Sequence, residues 1–137
     1  MKAAVYFGIE DIRTMEVNDP EIVEAHEMLV EVNATSICGS DLHLYRGALD
    51  PIMERGRSRT GHELVGTVRE IGSTVGRFKP GDRVTMAYSC SCGECYMCEV
   101  GQTAHCEVTA KAVYGFGIPF GDMNGTHAEA LVLPYAD

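Results

Sequence analysis

Three residues with metal-ligand chemistry stand in the first half of the chain, at Cys38, His62 and Glu63. A thiolate and an imidazole are zinc ligands, and an open zinc site commonly leaves one position for water or substrate. Each residue also has an ordinary structural interpretation, because a buried cysteine packs as a small hydrophobe and a histidine often only makes hydrogen bonds. Residue type alone leaves both interpretations open.

A second group of cysteines follows the spacing C-x-x-C-x-x-C, with a fourth member after seven more residues. It consists of Cys92, Cys95, Cys98 and Cys106. Four thiolates close a tetrahedral shell around zinc and leave no open position, so the spacing predicts a structural site that stabilises a loop too small for its own core. Two disulfides, an iron–sulfur cluster and free thiols are the alternatives. Cys90 and His105 lie next to this set and could substitute for a ligand, but we expect them to be neighbours without that role.

Length and charge limit the classes of partner. The 137 residues, 45% hydrophobic and 23% charged, fit one globular domain with one core. A formal charge of -9 would repel nucleic acid and anionic lipid. No apolar run approaches the ~20 residues of a membrane span, and the first residues lack a signal-peptide pattern. We therefore expect a cytoplasmic protein without nucleic-acid or membrane partners, in a reducing compartment that favours thiolate and metal chemistry.

Short strands must position these residues. Alternating and β-branched segments predict a hairpin over residues 1–17 and strands over 28–34, 62–72, 83–88 and 126–134, with a glycine bulge in the strand 62–72. Ser40 or Asp41 is expected to cap one helical turn before a surface loop at 50–60. Several strands separated by turns predict a mainly β fold of the barrel type.

The motifs taken together resemble the medium-chain zinc-dependent alcohol dehydrogenase family. They are Cys38-Gly39-Ser40-Asp41-Leu42-His43, Gly61-His62-Glu63-Leu64-Val65-Gly66 and Gly81-Asp82-Arg83-Val84. The four-cysteine lobe lies where that family has its structural zinc, and the resemblance covers nearly the whole chain. It implies a GroES-like, partly open β-barrel with short helices over residues 1–137, with a zinc lobe at 90–106. In the family this catalytic domain is joined to a Rossmann domain that carries NAD or NADP.

The resemblance also implies roles for individual residues. Cys38 and His62 would bind the catalytic zinc, with Glu63 beside the metal, where it can exchange with water as a ligand. Ser40 would contact the substrate hydroxyl and begin a proton relay with His43 near its solvent end. Asp41 would accept a hydrogen bond that orients His62. The structural alternatives are that Ser40 only caps the helical turn and that Asp41 is only solvated.

Several positions depart from the family. The glycines that follow Gly115 do not form G-x-G-x-x-G, so we expect the dinucleotide domain to be absent. The family's third protein ligand to the catalytic zinc normally follows the end of this chain. The polar segment 57–60 stands where many members are apolar, which puts the local packing in question. His127 is expected to be structural rather than a ligand.

The sequence therefore predicts the zinc-binding catalytic domain of an NAD(P)-dependent alcohol dehydrogenase-type oxidoreductase, incomplete by itself. Its expected partners are a Rossmann domain, in cis or in trans, and a small alcohol or aldehyde. An apolar face left uncovered could also let the isolated domain form a homo-oligomer. A free-standing zinc-binding or interaction module is the alternative, and a GroES-like co-chaperone rests only on fold analogy.

Overall fold

Short strands and turns make up most of the molecule. The computed structural model describes residues 1–137. The strands are β1 (Lys2–Gly8), β2 (Asp11–Glu16), β3 (Met28–Thr35), β4 (Leu64–Ile71), β5 (Arg83–Thr85) and β6 (Ala130–Leu133). The helices are α1 (Gly39–Tyr45) and α2 (Tyr96–Glu99), with single 3₁₀ turns at Asp50–Ile52, Thr103–His105 and Ile118–Phe120. The expectation of a mainly β fold is confirmed. None of the helices has the length and apolar character needed to cross a membrane.

The strands form two antiparallel sheets. β1 and β2 form the hairpin that the sequence predicts, and the larger sheet has the order β5-β4-β3-β6. Isolated bridges at Ala3–Ala128 and Val5–Arg59 connect the hairpin to the rest of the chain. These bridges do not extend into a continuous ladder, so the barrel is partly open.

The longest strand pair contains two register shifts. In the pairing of β3 with β4, Asn33 and Arg69 are the extra residues that lie opposite no single partner. The predicted glycine bulge is therefore only partly correct, because the bulged residue of β4 is Arg69 and not a glycine. Gly66 has a different role. A side chain there would collide with Val30 and with the Glu31 carbonyl across the ladder, so glycine permits the close approach of β3.

Two strands begin later than the sequence pattern suggests. β4 starts at Leu64 and not at His62, and β6 starts at Ala130 and not at Thr126. The reason is that the residues before each strand bind one another. The N–H groups of Thr126 and His127 donate to the carbonyls of Gly61 (3.0 Å) and Thr60 (2.9 Å). These two hydrogen bonds keep the segment before β4 out of the large sheet, and they place His62 beside the end of β3.

α1 begins at Gly39, before both of the predicted cap residues. Cys38 is the N-cap residue, in an extended conformation, and the Asp41 carboxylate accepts a hydrogen bond from its N–H at 2.9 Å. Asp41 is thus the third helical residue, whose side chain reaches back to the cap. Leu44 is buried on the inner face of α1, whereas Leu42 remains exposed. The prediction of Ser40 or Asp41 as the cap is therefore wrong.

The segment 50–60 is only in part a surface loop. Ser58 and Thr60 are buried, whereas Arg57 faces solvent and forms an ion pair with Asp122 at 2.6 Å. Arg59 pairs with Val5 of β1. This alternation lets a polar sequence occupy a strand-like position, because Arg57 points outward and Arg59 is only half-buried, while the two small hydroxyl residues are buried.

The main core lies on one face of the four-stranded sheet and extends toward the cysteine lobe. Its buried members are Met28, Val30, Leu64, Val68, Val84, Cys90, Ala112, Tyr114, Leu131 and Leu133. A smaller cluster of Tyr6, Leu44 and Met53 packs the hairpin against α1. This second cluster fixes the helix that carries Ser40 and Asp41.

Tyr6 in the smaller cluster supports a prediction about stability and pH. Its hydroxyl donates to Asp50 at 2.8 Å, and burial together with this bond raises the pKa of Tyr6 to about 12. The same bond, with Arg55, lowers the pKa of Asp50. Tyr6→Phe is therefore expected to lower the thermal midpoint of unfolding by a few degrees. Tyr88→Phe, at an exposed tyrosine, is the matched control.

The pH dependence of this difference follows from the two shifts. Asp50 contributes stability above its unfolded pKa of about 4, and Tyr6 contributes below its unfolded pKa of about 10. The difference in the free energy of unfolding between Tyr6→Phe and the parent protein should be greatest between these two pH values. It should shrink as pH falls through the lowered pKa of Asp50 and as pH rises through the raised pKa of Tyr6. Urea unfolding at several pH values measures it, and a difference independent of pH would contradict this account.

Candidate metal centres

The end of β3 and the segment before β4 bring Cys38, Ser40 and His62 together. The Cys38 Sγ atom lies 3.0 Å from His62 Nε2, although 24 residues separate them in the chain. The Ser40 hydroxyl lies 2.8 Å from Cys38 Sγ and 3.1 Å from His62 Nε2. Two potential metal-ligand atoms, a thiol sulfur and an imidazole nitrogen, therefore meet a hydroxyl group that could transfer a proton. The sequence predicted all three residues for this site.

The second ring nitrogen of His62 faces Asp41. His62 Nδ1 is buried without a hydrogen-bond partner and lies 3.7 Å from Asp41 Oδ1. Phe116 packs against the same ring, with the centroids 5.1 Å apart. Cys38, Asp41 and His62 offer ligand-type atoms within 4.8 Å of one another. The donor set fits zinc, because Nε2 faces the thiol while Nδ1 faces a carboxylate that can fix the ring.

Two predicted site residues lie at the margin of this cluster. Glu63 is exposed, and its carboxylate accepts a hydrogen bond from the Ser36 hydroxyl. His43 is exposed on α1, three residues after Ser40 and therefore on the neighbouring turn. The structure thus brings Cys38, Ser40, Asp41 and His62 into direct proximity, whereas the carboxylate of Glu63 lies outside the group of ligand atoms and His43 faces solvent.

The four cysteines of the lobe form a second, closed cluster. Their sulfur atoms all lie within 4.8 Å of one another, and all four thiols are free. Cys95 Sγ lies 3.5 Å from Cys98 Sγ and 3.8 Å from Cys106 Sγ. Zinc–sulfur bonds of about 2.3 Å in a tetrahedron place sulfurs about 3.8 Å apart, so the lobe fits a zinc ion. Cys90 and His105 lie outside this group of four.

Hydrogen bonds favour the thiolate form of Cys106, one of these four cysteines. Burial alone would raise the pKa of Cys106, but hydrogen bonds from Thr109 and Cys92 outweigh it and lower the pKa to about 5. Burial and the neighbouring Cys95 instead raise the pKa of Cys98 to about 12. A cation at the centre would remove this conflict, because it stabilises all four thiolates together.

Cys90 differs from the four cysteines in its surroundings. It is buried in the main core, where its N–H donates to the Ala112 carbonyl at 2.9 Å. Burial raises the pKa of its thiol to about 11. A protonated thiol packed in a core behaves as a small hydrophobe and not as a metal ligand.

Sequence reasoning missed a set of supporting residues around the first cluster. Thr35, Thr60, Thr126 and Phe116 contact the segments that carry Cys38, His62 and Glu63. Threonine and phenylalanine have no ligand chemistry, and their contacts join segments far apart in the chain. The stretch Gly125-Thr126-His127 resembles a family strand, and this was the one available indication that residues here approach the site.

Gly61 supports a prediction about the backbone next to His62. Its φ is +95°, and a Cβ there would lie 2.6 Å from the His127 ring. Gly61→Ala is expected to lower the free energy of unfolding by about 1–3 kcal/mol from the backbone conformation alone. Gly39→Ala is the matched control, because nothing lies within 4 Å of that position. Urea denaturation measures both, and equal stabilities would contradict the assigned strain.

An apolar cavity opens beside α1. It has a volume of about 620 Å³ and is lined mainly by apolar side chains of the hairpin and the helix, with Asp41 and His127 among its polar residues. Ile37 and Leu42 also line it and are exposed. An uncovered apolar face was expected from the sequence, and self-association through it remains a prediction.

Comparison with known proteins adds a family match and a set of relatives. The family model described as "Alcohol dehydrogenase GroES-like domain" matches residues 24–137. A zinc-type alcohol dehydrogenase-like protein of Bacillus subtilis is 37% identical over all of this chain, which covers 37% of that relative. Formaldehyde dismutase of Pseudomonas putida is 36% identical over 99% of this chain and 36% of its own length.

Solved structures agree with the fold. An alcohol dehydrogenase from Thermus sp. ATN1 superposes with a TM-score of 0.90 at 37% identity, over 99% of this chain and 38% of that one. A zinc-binding dehydrogenase from Sinorhizobium meliloti 1021, bound to NADP, gives a TM-score of 0.75 at 31% identity, over 98% of this chain and 36% of that one. The chain therefore spans little more than a third of the length of these proteins.

Proposed function

This chain belongs to the GroES-like domain family of alcohol dehydrogenases, and from that membership we propose that it is the catalytic, zinc-binding part of an NAD(P)-dependent zinc alcohol dehydrogenase. The observation that carries the proposal is the convergence of Cys38 Sγ, His62 Nε2 and Ser40 Oγ within 3.1 Å of one another. A closed structural zinc site needs no hydroxyl beside its ligands. A site that moves the proton of an alcohol does.

Each residue of the site has a distinct task. Cys38 and His62 would hold the metal, and Glu63 would supply a carboxylate that can exchange with water as a further ligand. Bound zinc supplies Lewis acidity that lowers the pKa of an alcohol oxygen. Ser40 would contact the substrate hydroxyl and accept its proton while releasing its own O–H proton, and His43, three residues further along α1, would take up the released proton and pass it to solvent. Asp41 Oδ1 lies 3.7 Å from His62 Nδ1, too far for a hydrogen bond, and with metal at Nε2 a small approach would let this carboxylate accept the Nδ1–H and fix the ring.

The cofactor and the substrate pocket require more than these residues. A hydride acceptor such as NAD or NADP needs a dinucleotide-binding domain, and the solved relative from Sinorhizobium meliloti binds NADP. We propose such a domain as the partner, in cis or in trans, and a small alcohol or aldehyde as the substrate. The lobe zinc, held by the four cysteines, keeps its segment folded. The six free cysteines suit a reducing compartment, for which we propose the cytoplasm.

A free-standing zinc-binding module is the second candidate. It is favoured by the lobe, whose four ligands are all present, whereas the other cluster offers one thiol, one imidazole and a nearby carboxylate. Zinc content separates the two candidates. Elemental analysis of protein purified under reducing conditions should give about two zinc ions per chain if both clusters hold metal, and about one if only the lobe does.

Activity gives the decisive test. The chain is combined with the dinucleotide-binding domain of a relative, and alcohol-dependent reduction of NAD or NADP is followed by absorbance. His62→Ala, which removes a metal ligand but leaves the lobe intact, is the control that should remain silent. If the combined protein holds both metals and still reduces neither cofactor with any of a panel of small alcohols, the proposed enzyme function is wrong.

A further inference from the structure

His127 joins the two segments that carry Cys38 and His62. Its Nδ1 lies 2.9 Å from the Thr60 hydroxyl, and its Nε2 lies 2.9 Å from the Ser36 carbonyl oxygen. Ser36 and Thr60 each precede a metal-ligand residue by two positions. One imidazole ring therefore binds both segments, in each case two residues before the metal-ligand residue.

The chemistry of these bonds fixes the direction of each. A carbonyl oxygen can only accept, so His127 Nε2 carries a hydrogen and donates it to Ser36. In the neutral ring Nδ1 then accepts from the Thr60 hydroxyl, which is 1% exposed and needs a partner inside the protein. The ring also lies against Gly61, where any side chain would collide with it. Both ring nitrogens and the ring face are thus constrained.

The preceding residue makes a parallel connection. The buried Thr126 hydroxyl accepts from the Glu63 N–H at 3.2 Å and lies 3.2 Å from the Thr35 hydroxyl. Because Thr35 donates its single hydrogen to the Glu63 carbonyl at 2.7 Å, Thr126 must be the donor to Thr35. Thr126 and His127 therefore connect the end of β3 to the segment before β4.

We propose that His127 is a positioning residue for the Cys38–His62 metal pair, which it serves by holding Ser36 and Thr60 at a fixed separation. The proposal rests on the proposed function, since it assumes that this pair binds metal. His127 touches neither ligand atom and acts only through the two segments. Outer partners of this kind typically change metal affinity 10–100-fold.

Two conservative variants separate positioning from general stability. The amide nitrogen of glutamine can occupy the place of Nε2, so His127→Gln keeps the bond to Ser36 but leaves the buried Thr60 hydroxyl without its acceptor. The shorter His127→Asn keeps an acceptor near Nδ1 for Thr60 and loses the bond to Ser36. If stability alone sets metal affinity, asparagine should be the better replacement. If the hydrogen bond to Ser36 sets metal affinity, glutamine should be the better replacement.

The measurement is a titration of the full chain with Co²⁺, read by its visible absorption, with the lobe filled by zinc beforehand. We expect His127→Asn to weaken Co²⁺ binding at the Cys38–His62 pair 10–100-fold, and His127→Gln to weaken it only a few-fold. Lobe zinc should be unchanged in both variants. Thr67→Val, which removes an exposed bond between Thr67 and Asn33, is the control and should leave Co²⁺ affinity unchanged. Equal affinities for the asparagine and glutamine variants would overturn the proposal.

Hydrogen exchange in metal-free protein gives an independent reading. The Cys38 N–H is bonded to Asp41, so its exchange rate reports the geometry of the ligand segment without any metal. We expect exchange of this amide to be about tenfold faster in His127→Asn than in His127→Gln, with core amides of β3 and β4 unchanged. Equal exchange rates would overturn the positioning role. If the parent chain binds no Co²⁺ at this pair, the proposed function fails, and exchange alone decides whether His127 positions the segment.

Discussion

Cys106→Ser is expected to remove one zinc ion per chain and to unfold the segment from Cys92 to Cys106. Cys106 is fully buried, and its sulfur accepts N–H bonds from Cys92 and Thr109. The lobe contributes only short helical turns, so its sulfur–metal bonds replace a hydrophobic core. Small zinc modules of this type lose their fold with their metal, because the metal binding energy is also their folding energy.

The effect should be local. The four-stranded sheet buries its own core of residues such as Val30, Val68 and Leu131, so its strands should remain protected. Elemental analysis measures the zinc, and limited proteolysis with mass spectrometry locates the unfolded segment. Cys90→Ala is the matched control, because that thiol lies outside the cluster and should keep the full zinc content. Retention of the lobe zinc in Cys106→Ser would contradict the four-thiolate site.

Ser40→Ala in the protein combined with a dinucleotide-binding domain is expected to lower kcat by about 10²–10⁴-fold. The reason is that the Ser40 hydroxyl is the group placed within 3.1 Å of both Cys38 Sγ and His62 Nε2, where it can receive the substrate proton. Zinc content should not change, since Ser40 is not a ligand. Steady-state kinetics with a small alcohol and NAD or NADP measure the effect.

The structural alternative for Ser40 predicts a different result. If it served only to begin α1, its loss would reduce stability and not kcat. Cys38, however, is the N-cap of that helix, so alanine at position 40 should leave stability nearly unchanged. Ser40→Thr retains a hydroxyl and should recover much of the rate. A fully active Ser40→Ala protein would show that the substrate proton leaves by another route.

The cysteine lobe and the Cys38–His62 site differ in how far each could be predicted from the sequence. The lobe cysteines lie within one short stretch, so their spacing alone restricts how their sulfurs can meet. Cys38 and His62 are 24 residues apart, and only the resemblance to a family indicated that they belong together. The order and bounds of the first strands also followed from alternation, because a hairpin is a local structure.

Local pattern failed where distant segments compete for the same backbone groups. His62 lies before β4 because the Gly61 carbonyl accepts from Thr126, a partner that no window around residue 62 contains. The helix cap moved to Cys38 because the Asp41 carboxylate reaches back to its N–H. Each polar backbone group takes the partner that tertiary packing offers, and local propensity is weaker than that bond.

The sequence by itself determined the mainly β class, the spacing of the four lobe cysteines and the residue types of the predicted open site, since each depends on short spacings or on side-chain chemistry. Only the tertiary structure decided which atoms meet, above all the contact of His127 with Ser36 across 91 residues and the approach of Asp41 to the unpartnered nitrogen of His62. The physical reason is that such contacts join segments whose separation along the chain carries no information about their distance in space. That distance is set when the sheet, the hairpin and α1 pack together and bury their apolar faces.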